Sequence, residues 1–307
     1  MKPIIVAHGG VGSQNSFRDG PQKATEEALK VLKKTKSVLK AAIKGAVILE
    51  DDPRFDAGTG SNFRLDGKTI EMDASVMDSD GNFGAVIGIQ MVKNPVIVAE
   101  MVSKSPHLIL CGEGATEFSR RRGVPCYNPA TPKAKERLNM ALQKLALKKI
   151  PYWAKKLPSY LSSYLLDEMD GCDTIGVAVS DGMGNFAAAC STGGVSYMLP
   201  GRVGDTAIIG CGLYVGKKGA VVATGVGEEI IRRMLSKEVY EQIAREMHPQ
   251  KACDWGLTLF DDYNKKISKP HRKRIPIGLI AVTMTDYGIS ATHQMAVGLT
   301  HYKRIKI

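Results

Sequence analysis

GCDTIGVAVSDGMGNFAAACSTGG, residues 171–194, decides how this chain is read. Apolar and small residues run from Ile175 to Val179 and again from Phe186 to Cys190, separated by Asp181-Gly182-Met183-Gly184-Asn185. Two short apolar runs joined by turn residues predict a β-hairpin. Thr174 stands at the entrance to its first strand, directly after Asp173, and Thr192 stands at the exit of the second, before a glycine pair. A threonine in a strand is ordinarily a strand former and nothing more. It becomes a nucleophile when a base is at hand, and its own α-amino group serves if the preceding peptide bond is cut. An α-amino pKa of about 7.7–8.0 leaves a useful neutral fraction at neutral pH. We therefore expect self-cleavage at Asp173–Thr174, assisted by Asp173, with Thr174 then attacking an amide.

The same stretch contains a rival pattern. Gly182-x-Gly184-x-x-Ala187 with Asp205 further on satisfies the bare dinucleotide fingerprint. That fingerprint needs a long helix after its glycines, whereas Ser191-Thr192-Gly193-Gly194 interrupts within a few residues. The hairpin is the better reading. Gly216-Lys217 lacks the first glycine and the hydroxyl residue of a P-loop, and no nucleophile-elbow or zincin motif occurs. His8, at a strand end beside glycines, reads as structural.

Working outward, residues 3–7 read as a strand, 8–12 as a glycine loop, and 19–49 as one amphipathic helix. Residues 49–62 form a loop rich in oxygen-bearing side chains. Strands at 69–78 and 82–91 are joined at Asp80-Gly81. A helix at 95–104, a strand at 107–111 and a helix at 113–121 follow. Residues 128–170 are Lys-rich, carry four prolines and read as a flexible connector ending immediately before Gly171. Beyond the hairpin, strands are expected at 206–214 and 219–224, helices from Gly225 and over 238–267, and strands at 277–284, 288–295 and 298–305. Strands and helices come in runs, which points to an α+β fold of antiparallel sheets with helices outside.

The 307 residues are 44% hydrophobic, enough for a substantial core. No apolar run approaches a membrane span of about 18 residues, and the N-terminus lacks an apolar leader. A cytoplasmic protein is expected, with no membrane partner. Six cysteines show no zinc spacing and read mostly as buried thiols. The net charge of +11 raises nucleic acid as a partner. Its basic residues are scattered, with local concentrations at 133–156, 271–274 and 303–304, and no aromatic-interleaved motif accompanies them, so none is expected.

Amide hydrolysis also wants donors for a developing oxyanion, which Thr224 and Gly225 can supply at a glycine turn. A zwitterionic substrate wants a fixed charge pair, which Arg202 and Asp205 can supply.

These residues fall within a series of motifs: His8-Gly9-Gly10, Leu49 to Gly60, Glu71 to Asp78, Lys93-Asn94-Pro95, Gly112 to Ala115, Asp173 to Gly176, Ser191 to Gly194, Pro200 to Asp205 and Thr224 to Glu228. In this order they resemble the N-terminal nucleophile (Ntn) hydrolases of the plant-type asparaginase and isoaspartyl-aminopeptidase family, over nearly the whole chain. The resemblance implies a single four-layer αββα sandwich, 1–307, matured into subunits 1–173 and 174–307 that stay together. It implies Thr174 as nucleophile, Thr192 as the hydroxyl that tunes it, and Thr224 with the Gly225 N–H as the oxyanion hole. Arg202 would hold a substrate α-carboxylate and Asp205 its α-amino group, with Gly227 lining the site. A structural sodium ion would sit on backbone carbonyls of Leu49, Glu50, Asp52, Phe55, Ala57 and Thr59; the chemistry itself needs no cofactor. L-Asparagine and β-aspartyl peptides would be the substrates, and a dimer of matured heterodimers the assembly. Two positions depart from the family pattern. Asp56 replaces the usual Asn near the active site, and Asp173 replaces the usual Gly before the nucleophile. Asp-Thr at that bond is similar to glycosylasparaginases and taspase-like endopeptidases, which are the alternative readings.

Overall fold

The computed structural model describes residues 2–146, 174–195, 198–261 and 274–301. Asp173, Cys172, connector residues 147–170, the expected helical stretch 262–267, the basic positions 271–273 and 303–304, and the expected strand end 302–305 lie outside the described residues.

The central hairpin is formed by β5 (Ile175–Ser180) and β6 (Phe186–Thr192), paired from Ile175↔Ser191 to Ser180↔Phe186. Its turn is closed by a side chain. Asp181 Oδ1 accepts the Met183 and Asn185 N–H groups at 2.7 and 3.1 Å, and Oδ2 accepts from Asn185 Nδ2 at 2.5 Å. Gly182 and Gly184 take φ of +74° and +104°, which explains both glycines without a phosphate.

Around it lie β1 (Ile4–Val11), β2 (Met72–Asp78), β3 (Phe83–Ile89), β4 (Ile109–Cys111) and β11 (Met295–His301), in the order β11-β1-β5-β6-β2-β3-β4. A second sheet runs β10 (Tyr287–Ala291), β9 (Ile277–Val282), β8 (Gly219–Gly225), β7 (Leu213–Gly216). Helices are α1 (Asp19–Thr35), α2 (Val38–Glu50), α3 (Pro95–Ser103), α4 (Gly112–Arg121), α5 (Pro132–Ala146), α6 (Gly227–Arg233), α7 (Leu235–Ala244) and α8 (Pro249–Thr258).

Period-two alternation sorts each strand's residues between separate cores. Ile5, Ala7, Ile175, Val177, Ala187 and Ala189 pack with Ala42, Ala46 and Leu49 of α2. Their neighbours Ile4, Val6, Ala178, Phe186 and Ala188 pack instead against Val222, Ile280 and Val282 of the second sheet. The far face of that sheet, Val221, Ala223, Leu279 and Ala281, packs on Leu235 and Val239 of α7. Among the described residues the fold is mixed α+β with two sheets, and the β5–β6 hairpin is buried on both faces. Among the described residues no helix is long and apolar enough to cross a membrane.

Several elements differ from expectation. The helix expected over 19–49 is two. Lys36 adopts a left-handed φ of 58°, its N–H capping Leu32 O, and Ser37 Oγ accepts the Lys40 N–H at 3.2 Å to start α2. The expected 8–12 loop belongs to β1, which runs to Val11 with an irregularity in its pairing between His8 and Val11. Residues 206–212 are turns, because the Asp205 carbonyl accepts both the Ile208 and Gly212 N–H groups; β7 begins only at Leu213. The first sheet is not wholly antiparallel, since β4 pairs parallel with β3. Residues 132–146 of the expected flexible connector form α5, docked by the buried side chains of Ala134 and Leu138. Cys190, Cys211 and Cys253 are buried thiols, whereas Cys111 and Cys126 are exposed, Cys111 because it lies on the outermost strand β4.

Candidate active site

Hairpin register brings the two threonines together. Thr174 leads into β5 and Thr192 ends β6, so they share the hairpin's open end. The Thr174 hydroxyl donates to Thr192 Oγ1 at 3.1 Å, and both residues are buried. Thr192 Oγ1 also accepts the Gly194 N–H at 2.9 Å, which fixes the acceptor's position.

β1 touches Thr174 and the expected oxyanion hole at once. His8 pairs with Gly176 across β1–β5, and its Nε2 lies against the Thr174 and Gly176 backbone. Nδ1 accepts the Gly10 N–H at 3.1 Å. Burial lowers its pKa to about 3, opposed by the Thr174 backbone, so His8 stays neutral. This supports its reading as a structural histidine. Three residues on, the Val11 N–H donates to Thr224 Oγ1 at 3.4 Å. Gly225 takes φ of +145°, and a Cβ there would lie 2.2 Å from Pro276 O, so only glycine fits.

The expected charge pair is assembled with a third member. Arg202 Nε and Nη2 donate to Glu228 Oε1 and Oε2 at 2.9 and 2.8 Å. Burial opposes the Arg202 charge, but Glu228, Asp205 and Asp73 outweigh it and hold the guanidinium above its ordinary pKa. Glu228 is likewise held below its ordinary value, burial notwithstanding, by Arg202. Asp205 is 3% exposed, and its Oδ2 is buried without a hydrogen-bond partner among the described residues. Burial pushes its carboxyl up to about 7; its own backbone N–H and Arg202 oppose this, while Glu228 and Asp73 add to it. Gly227 is the wall between them, since a Cβ there would stand 2.9 Å from Asp205 Oδ1 and 3.0 Å from Arg202 Nη2.

Asp73 connects this group to the threonines. It faces Thr192 in the β2–β6 register, and its Oδ2 accepts the Gly204 N–H at 3.4 Å. Asp56 flanks the other side. Its carbonyl accepts the Gly193 N–H at 2.7 Å, and its carboxylate accepts Asn62 N–H and Nδ2 at 2.7 and 2.5 Å. Burial pushes this carboxyl up to about 6, against the charges of Arg137 and Arg64. Arg137, on α5, reaches the same Asn62 through its Oδ1 at 2.9 Å.

Sequence reasoning did not single out Glu228, Asp73, Arg64 or Glu71. Arg64 is 1% exposed; it bonds Glu71 Oε2 at 2.9 Å and reaches Gly193 O, while the same Glu71 oxygen accepts the Gly201 N–H at 2.7 Å. This ion pair fastens the loop between Thr192 and Arg202. Charged residues within otherwise apolar segments were the available signal, because such groups are buried only when paired.

The 49–59 carbonyls, where a sodium ion is expected, differ in the hydrogen bonds they already accept. The Glu50 and Asp52 carbonyls each accept one loop N–H, whereas that of Leu49 accepts those of Asp51 and Asp52. The buried Phe55 and Ala57 carbonyls, and that of Thr59, accept none among the described residues. Carbonyl oxygens are the donor type hard cations favour.

The asparaginase family profile matches residues 1–290. Similar proteins include a plant-type L-asparaginase of Pyrococcus horikoshii, 38% identical over 84% of this chain and 85% of its own. An isoaspartyl peptidase/L-asparaginase of Xenopus laevis is 37% identical over 84% of this chain and 81% of its own. An N(4)-(β-N-acetylglucosaminyl)-L-asparaginase of Elizabethkingia miricola is 35% identical over 94% of this chain and 78% of its own. With these similarities spanning both the threonine pair and the Arg202–Asp205 group, the chain belongs to the asparaginase family.

Proposed function

We propose that this chain is a self-cleaving threonine amidohydrolase that releases L-aspartate from L-asparagine and β-aspartyl peptides. The observation that carries the reading is the Thr174–Thr192 hydroxyl pair at 3.1 Å, beside a buried Arg202–Asp205 group whose Asp205 Oδ2 awaits a donor. A substrate α-ammonium would satisfy that oxygen, and its α-carboxylate would meet Arg202. Cleavage before Thr174 frees an α-amino group that takes the hydroxyl proton as Oγ1 attacks the side-chain carbonyl. Thr224 and the Gly225 N–H stabilise the oxyanion. The proton passes to the leaving amine, and water then hydrolyses the β-aspartyl ester and restores the hydroxyl.

The three cores between successive layers support a four-layer αββα sandwich, one domain that keeps fragments 1–173 and 174–307 together. Sodium on the 49–59 carbonyls would brace the loop that carries Asp56. A dimer of matured heterodimers completes the reading, testable by light scattering. Aged protein should run as two bands, with Thr174 as the new N-terminus, and should release ammonia from asparagine. Thr174→Ala should remain whole. A single lasting band without ammonia release refutes the proposal. The Elizabethkingia relative favours a second reading, cleavage of glycosyl-asparagine; activity there, with none on β-aspartyl dipeptides, would select it.

A further inference from the structure

We propose that Glu228 is a positioning residue for substrate capture: it clamps one edge of the Arg202 guanidinium, keeps Arg202 from pairing with Asp205, and presents the Nη1–Nη2 edge to the substrate carboxylate. This rests on the roles proposed above for Arg202 and Asp205.

A guanidinium offers five N–H donors in one plane and can meet a carboxylate along more than one edge. Here the Nε–Nη2 edge is occupied, bidentate, by Glu228 at 2.9 and 2.8 Å. What remains is the Nη1–Nη2 edge, where Nη1 makes only a long contact of 3.5 Å to Met198 Sδ. Two glycines keep that edge open: a Cβ at Gly204 would stand 2.9 Å from Nη1, and one at Gly227 would stand 3.0 Å from Nη2. A Cβ at Gly227 would also stand 2.9 Å from Asp205 Oδ1, so the open edge and the Asp205 carboxylate border the same small space.

The clamp resolves a conflict built into the site. An arginine beside a buried carboxylate would ordinarily pair with it, and each would then be lost to the substrate. Yet Asp205 Oδ2 has no partner among the described residues, and Arg202 is bonded to Glu228 instead. The charged groups acting on Asp205 are Arg202 and Glu228, from the 200–205 turn and α6, and Asp73 from β2. Asp73 is in turn held by the Gly88 N–H and the Arg64 charge. The thiols of Cys190 and Cys211 also lie near Asp205, and burial keeps both protonated. Removing the Glu228 charge removes a repulsion on Asp205 and releases Arg202 to pair with it. Both effects favour the ionised carboxylate, so the acid limb of kcat/KM should move to lower pH.

The test is steady-state hydrolysis of L-asparagine by cleaved protein, from about pH 5 to about pH 9, for wild type, Glu228→Gln and Glu228→Asp. Glu228→Gln should raise KM about tenfold with kcat within about twofold, and shift the acid limb down by about half a pH unit or more. Glu228→Asp restores the charge on a shorter arm and should recover part of both. Unchanged KM, or a raised KM with an unmoved limb in both variants, overturns the inference. So does failure of both variants to yield cleaved protein, which marks a structural role. Arg202→Met and Asp205→Asn are run alongside. If they leave KM unchanged, the underlying reading fails; if they raise it while the Glu228 variants do not, only the present inference fails.

Discussion

Asp205→Asn should make the unliganded protein more stable at alkaline pH while disabling it. The Asp205 carboxyl is wholly buried and its pKa is raised from 3.8 to about 7. A carboxyl that prefers its proton in the folded state contributes stability that is fully present below the unfolded pKa and is lost as pH rises through the folded one. The shift of about 3 units, at 1.36 kcal/mol each, amounts to about 4 kcal/mol in all, of which about 3 falls between about pH 5 and pH 8.5. Asparagine keeps the shape and carries no charge to bury. Urea unfolding followed by circular dichroism, on wild type and variant in the same cleavage state, gives the comparison. Wild-type stability should fall relative to the variant by about that amount across the window. Glu50 and Asp56, also raised by burial, are present in both proteins and cancel in the difference. Parallel pH profiles for the two proteins would refute the reasoning. A substrate ammonium would relieve the same burden, so saturating L-aspartate should stabilise wild type and leave the variant unmoved.

Thr192→Val keeps the strand and removes the hydroxyl that meets Thr174, so kcat should fall about 100-fold with KM changed little, measured by ammonia release. Gly225→Ala forces a Cβ into the Pro276 carbonyl at a φ of +145°, and its melting temperature should drop by an amount matching about 3 kcal/mol or more. Arg64→Met leaves the Glu71 carboxylate inside without its partner, which costs about 3–5 kcal/mol in denaturant unfolding; pairing it with Glu71→Gln should recover much of the loss. Replacing sodium with choline in the buffer should lower the melting temperature if carbonyls 49–59 hold that ion, and readdition should restore it.

What could be recognised beforehand was whatever depends on neighbours in the chain. The hairpin was legible because Asp181 makes its turn contacts within four residues. Thr174 and Thr192 were legible as a pair because hairpin register follows from the turn. The break at Lys36 was not, since nothing in its residue type announces a left-handed backbone. The parallel pairing of β4 was hidden for a related reason, because pairing direction is set by where α3 returns the chain. The Arg202–Glu228 clamp spans 26 positions, and the Glu71–Gly201 bond spans 130. Side chains that meet only through tertiary packing leave no local periodicity to detect. Asp73 lay within an identified motif, but its place opposite Thr192 emerges only from sheet order.

That sheet order has a mechanical consequence. If the chain is divided before Thr174, β1 to β4 belong to one piece and β5 to β11 to the other. In the first sheet β1 then lies between β11 and β5, and β6 lies against β2. The pieces are interlaced like the fingers of two hands. Three separate ladders, β11–β1, β1–β5 and β6–β2, would have to part at once to release either. Severing that one peptide bond would therefore free an α-amino group on Thr174 and leave almost untouched what keeps the molecule whole. The second sheet lies wholly in the later piece, but the first is complete in neither, so cleavage would be a step for an assembled protein, and the fragments made separately should not substitute for it.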